Sequence, residues 1–88
     1  MNRIYDSLAR FGCVLCHTLG YGNTPAEIHH IRRFGASRDS SPVIPLCLEH
    51  HRGNTGIHGL GRKAFERYYG LTELDLLEVV DKLVINAR

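Results

Sequence analysis

Three cysteines and six histidines hold most of the reactive chemistry of this 88-residue chain, and they fall in pairs. Cys13-x2-Cys16 is followed, after thirty intervening residues, by Cys47-x2-His50. A two-residue gap lets both side chains of a knuckle turn reach one ion about 2.0–2.3 Å away. Three thiolates and one imidazole fill a tetrahedron and leave no open position, so this set predicts a structural zinc site that folds the protein. His17, next to Cys16, is an alternative ligand. An odd number of cysteines fits a disulfide framework badly and metal ligation well.

With those four assigned, His29, His30, His51 and His58 need another explanation. Successive residues on a helix point about 100° apart, so His50 and His51 face different sites. His51 and His58 would sit about 10 Å apart along an unbroken helix, too far for one ion. The intervening Gly53-Asn54-Thr55-Gly56 predicts a break that lets the chain return and bring the two rings together. On a regular strand His29 and His30 face opposite ways, so for both to serve one site the strand must end or twist there. The expectation is a second, functional metal site; the bland alternative is four incidental histidines.

These residues must be positioned by short elements. Ile4, Leu8 and Phe11 share a face of a helix over 3–11, and Gly12 ends it before the first cysteine pair. Gly, Asn and Pro make 20–25 a loop. A short strand is expected over 26–31, a polar connecting loop over 32–42, and a second strand over 43–46. Pro45 confines that second strand to an edge or a strand end. Residues 48–52 open a helix that Gly53 and Gly56 interrupt. A further helix over 62–69 closes on Gly70. Thr72 then caps a last helix, to about residue 86, with Glu73 and Asp75 in the first turn. Leu74, Leu77, Val80 or Asp81, and Val84 follow its period. That helix is expected to be a structural brace without chemistry.

The whole reads as one α+β domain over 1–88. A chain of this length buries only roughly 60–65% of its unfolded surface, so a bound metal would supply stability that the core lacks. At 43% apolar residues it is too apolar for disorder, and no apolar run is long enough to span a membrane. No apolar N-terminal stretch suits a signal peptide, so a cytoplasmic protein is expected. Net charge is +2, but residues 1–70 hold nine Lys/Arg against five Asp/Glu, while 71–88 hold two against four. The basic excess, with Arg32, Arg33, Arg38, Arg52, Arg62 and Lys63, lies where the histidines lie. A cationic surface around a metal-rich site suggests an anionic substrate, with nucleic acid the leading candidate.

Taken together, Cys-x2-Cys, Glu27-Ile28-His29-His30-Ile31, Ile44-Pro45-Leu46-Cys47-Leu48-Glu49-His50-His51, Ile57-His58-Gly59 and Gly61-Arg62-Lys63-x-Phe65-Glu66 resemble HNH endonucleases. More narrowly, they resemble the nuclease domain of the phage recombination-enhancement (Ref-like) family, over about residues 10–80. The resemblance implies a zinc-stabilised ββα-metal fold with flanking helices, in a phage or bacterial setting. It implies that His29, His51 and His58 hold a catalytic ion (magnesium, manganese or zinc) and that His30 is the general base. An imidazole titrating near about pH 6.5 can accept a proton from water at neutral pH. Three neutral imidazoles would leave the ion its full charge for the phosphate.

Two departures stand out. The middle Asn of the HNH pattern is absent from Asp39-Ser40-Ser41-Pro42-Val43, where Asp39 or a serine would take its role of orienting the base. A long basic N-terminal arm, which relatives can carry, is also not expected, since only twelve residues stand before Cys13 in the sequence. Dependence on a recombinase filament, or on any protein partner, is therefore not carried over; a dimer remains open. Arg33, Arg38, Arg52 and Arg62 are the candidates for holding the backbone of single- or double-stranded DNA. The expected activity is endonucleolytic hydrolysis with little sequence selectivity. The competing readings are a non-catalytic zinc-stabilised nucleic-acid-binding module and a protein adaptor using the acidic last helix.

Overall fold

The computed structural model describes residues 3–31 and 41–85, with side chains described for 5–31 and 41–83. Helix α1 (Arg3–Phe11) leads into α2 (Val14–Leu19), then strands β1 (Glu27–His30) and β2 (Val43–Leu46). Four helices follow: α3 (Leu48–His51), α4 (Ile57–Leu60), α5 (Arg62–Tyr69) and α6 (Glu73–Val80). The last runs into a π-helical turn, Asp81–Ile85. The fold is α+β, with one two-stranded sheet among the described residues. No helix among them is long and apolar enough to cross a membrane.

The strands pair antiparallel, with His29 opposite Ile44 and His30 opposite Val43. Ile31 N–H donates to Pro42 C=O at 2.9 Å one step beyond. Antiparallel pairs alternate between bonded and non-bonded types, so Ile28 and Pro45 form a non-bonded pair. Pro45, which has no N–H to offer, thus costs the ladder nothing and is buried. Strand β1 ends at His30.

The core is built by Leu8 from α1, Val14 and Leu15 from α2, Ile44 and Leu46 from β2, Phe65 from α5, and Leu76 and Val80 from α6, all fully buried. Helix α1 packs on both strands, and α3 packs on them as well. Two helices were not expected. Helix α2 is nucleated by the knuckle itself: Cys13 Sγ accepts from Cys16 N–H at 3.4 Å, and Gly20 ends the helix in the left-handed region (φ 82°). Helix α4 is a single turn created where the chain doubles back after α3.

Helix α6 differs from its expected register. Thr72 caps it in a capping box with Asp75. The buried positions are Glu73, Leu76 and Val80, with Leu77 partly buried, whereas Leu74 is 50% exposed. The stripe therefore begins on a carboxylate, one residue before the leucine that periodicity picks out.

Candidate metal centres and cleft

Cys13 caps α2, Cys16 lies within it, and Cys47 caps α3, which carries His50 one turn later. Their four donor atoms lie within 4.8 Å of one another. With zinc–sulfur bonds of about 2.3 Å and zinc–nitrogen bonds of about 2.0–2.1 Å, a tetrahedron has S···S edges of about 3.8 Å and S···N edges of about 3.6 Å. The structure has Cys16 Sγ 3.8 Å from Cys47 Sγ. His50 Nδ1 lies 3.3, 3.5 and 3.6 Å from the sulfurs of Cys47, Cys16 and Cys13. The donor set fits a zinc ion.

Burial pushes the Cys13 thiol up to about 12, so a thiolate there forms when a cation compensates it. Burial also lowers His50 below the ordinary imidazole value, which keeps its nitrogen free for a metal. Tyr69 stacks edge-on against the His50 ring at 5.5 Å. His17, the alternative ligand, is exposed and packs on Phe11 instead.

A second cluster joins three elements. His29 comes from β1, His51 from the end of α3 and His58 from α4, and their donor atoms also lie within 4.8 Å of one another. Ring centroids are 5.2 Å apart for His29–His51, 5.3 Å for His29–His58 and 4.8 Å for His51–His58. The glycine-rich return makes this possible. Glu49 Oε2 accepts from the Thr55 hydroxyl at 2.6 Å and from its N–H at 3.0 Å, and Tyr69 Oη donates to the Thr55 carbonyl at 2.7 Å. A side chain on Gly59 would run into the Gly53 carbonyl oxygen, so the turn closes only with glycine there. Burial first, then His51 and His29, lower His58 below its ordinary value, so its ring stays neutral and able to ligate.

Carboxylates brace two of these rings. Glu27 Oε1 accepts from His51 Nδ1 at 2.8 Å, which leaves Nε2 to the cluster. Glu73 Oε2 lies 2.6 Å from His29 Nε2, with both residues buried. Neither contact was expected from the sequence: a carboxylate stands behind two of the three imidazoles, and one of the two comes from α6, where a brace without chemistry was expected. Arg52, expected on a phosphate, forks onto Glu27 through Nε (3.0 Å) and Nη2. The guanidinium, followed by His51, holds the Glu27 carboxyl below its ordinary value.

His30 lies on the opposite strand face from His29, yet both line one open cleft of about 760 Å³. Tyr5 Oη from α1 is 3.4 Å from His30 Nε2. His58 and Glu73 also line the cleft, together with Arg62, Lys63 and Arg67 of α5. Of the arginines expected to hold DNA, Arg62 is thus at the cleft and Arg52 is not among its lining. Arg33, Arg38 and Asp39 lie outside the described residues.

A cluster suited to zinc, a histidine triad and a cleft lined by three cationic side chains thus occur together in one small chain. The sequence model of the family described as recombination enhancement, RecA-dependent nuclease, matches residues 1–84. The chain belongs to that family of nucleases. Neither the curated proteins nor the solved structures compared with the chain gave a match. Within this nuclease family member, Glu73, Glu27, Tyr5 and Arg67 are site neighbours to which sequence reasoning gave no site role. Two of them left a trace in the sequence: Glu27 stands in the motif two residues before His29, and Glu73 is a carboxylate spaced i, i+3, i+4 and i+7 with Leu76, Leu77 and Val80.

Proposed function

We propose that this chain is a metal-dependent endonuclease of the HNH type. It would hydrolyse DNA phosphodiester bonds with little sequence selectivity, using one divalent ion and His30 as general base. The observation that carries this reading is the convergence of His29, His51 and His58 beside a cleft that His30 also lines. The Cys13, Cys16, Cys47 and His50 set would hold a structural zinc that fixes α3, and with it His51.

His29, His51 and His58 would hold magnesium, manganese or zinc; imidazoles favour the softer ions without forbidding magnesium. Bound there, the ion supplies positive charge to the scissile phosphate and to the departing 3′ oxygen. His30 takes a proton from the water that attacks phosphorus in line with that oxygen. Tyr5 steadies the imidazole through Nε2, a role that the missing middle Asn leaves open to Asp39 as well. Arg62, Lys63 and Arg67 hold neighbouring phosphates, and contacts of that kind position DNA without reading its sequence. Arg52 serves by holding Glu27 against His51. One such site cuts one strand per encounter, so a nick is the first product, and double-strand cleavage needs a second copy or a second encounter.

The test is relaxation of supercoiled plasmid by zinc-loaded protein with magnesium or manganese, with a chelator control and metal added back. The family description names RecA, so naked and RecA-coated DNA are both offered. Ion-dependent cutting of either substrate supports the reading. Binding without cutting on both would make the chain a zinc-stabilised nucleic-acid-binding module.

A further inference from the structure

Helix α6 buries a carboxylate where its period could have buried a leucine. Glu73 is 5% exposed and Leu74 beside it 50%, so the register of the helix is set with the charge inside. Burying a carboxylate is costly unless hydrogen bonds meet it. Here one of its oxygens faces His29 Nε2 at 2.6 Å, across 44 residues of sequence.

We infer that Glu73 is the residue that positions His29 for its ion, holding Nε2–H and committing the Nδ1 lone pair to the centre. The inference rests on the reading that His29, His51 and His58 hold a metal. An ionised carboxylate only accepts, so the imidazole nitrogen facing it must bear the proton, and a neutral ring then has its lone pair on the other nitrogen. Among the described residues, the donor atoms that lie mutually within 4.8 Å are those of the three imidazoles, and no carboxylate joins them. Glu73 therefore acts through His29 and not on the ion. Glu27 stands in the same relation to His51, one carboxylate behind one imidazole. Partners of this kind typically contribute 10–100-fold to metal affinity. The arrangement also makes the docking of α6 part of the metal centre, because its first buried residue reaches β1.

The test is manganese binding by calorimetry on protein carrying zinc only at the cysteine cluster, comparing wild type with E73L, E73Q and H58A. Leucine suits the apolar stripe, so E73L keeps α6 docked while removing the acceptor; E73M serves in its place if E73L does not fold. The expected result is a melting temperature near wild type with affinity lowered about 10–100-fold in E73L. In E73Q, whose amide oxygen accepts the same bond, affinity stays within about threefold of wild type. H58A loses the ion. Wild-type affinity in E73L, with H58A defective, would overturn the role of Glu73 alone. Equal losses in E73Q and E73L would overturn positioning in favour of a direct effect of charge. Wild-type affinity in H58A would instead refute the centre itself.

Discussion

Replacing Cys47 by serine isolates the contribution of the cysteine cluster, because the side chain keeps its approximate shape while losing a thiolate. Cys47 sits at the start of α3, with Sγ 3.8 Å from Cys16 Sγ and 3.3 Å from His50 Nδ1. Structural zinc binding is worth about 10–16 kcal/mol for four ligands, hence roughly 2.5–4 kcal/mol for each on equal division. A domain of 88 residues has a net stability of about 4–13 kcal/mol. Loss of one ligand is thus a large part of the whole. At about 4–8 °C for each kcal/mol, C47S should melt roughly 10–30 °C below wild type. The assay is thermal unfolding by circular dichroism, paired with zinc stoichiometry from a colorimetric chelator. A C47S protein that melts within a few degrees of wild type, or that binds as many equivalents of zinc as wild type does, would refute the tetrahedral assignment.

Other outcomes follow from the same geometry. The His58 ring, lowered by burial, should titrate below the ordinary 6.5 by NMR in protein carrying zinc only at the cysteine cluster. A depressed histidine stabilises the fold above its unfolded value and loses that contribution as pH falls, so this form should weaken on acidification below about pH 6.5. A midpoint above 6.5 would contradict the placement of His58. Gly59→Ala forces a methyl against the Gly53 carbonyl, at a cost of about 1–3 kcal/mol. Displacing His58 by about 1 Å would cost roughly 100-fold in cleavage, measured on plasmid DNA. Arg67→Ala should lower the slope of log affinity against log salt by about 0.9, the value of one phosphate contact. An unchanged slope would place the DNA elsewhere.

What the sequence revealed and what it hid divide along range. Helix α5 with its Gly70 terminator, the Thr72 cap and both short strands depend on neighbours within a few residues, and they lie where pattern and caps put them. The cysteine pairs were equally plain, because each knuckle is a local turn and only their meeting is long-range. Helix α2 was hidden because its start depends on Cys13 acting as a cap, a role its thiol is rarely read for. Helix α4 was hidden because four residues have no useful periodicity, and it exists through the close packing of Gly59 on Gly53. Glu73 was hidden for a different reason: a charged residue on an apolar stripe reads as the end of the stripe. Its partner His29 and the contact of Tyr5 with His30 lie 44 and 25 residues away. No local pattern encodes such pairs.

The most direct test of the central claim is plasmid nicking by wild type and His30→Ala side by side, with manganese and with chelator. His30 shares the cleft with His29 and His58 but is not one of the mutually close donors, so its removal should spare zinc and manganese binding. The account predicts that the variant binds both metals and DNA as wild type does and cuts about 100- to 10,000-fold more slowly. Cleavage at the wild-type rate by His30→Ala would contradict it.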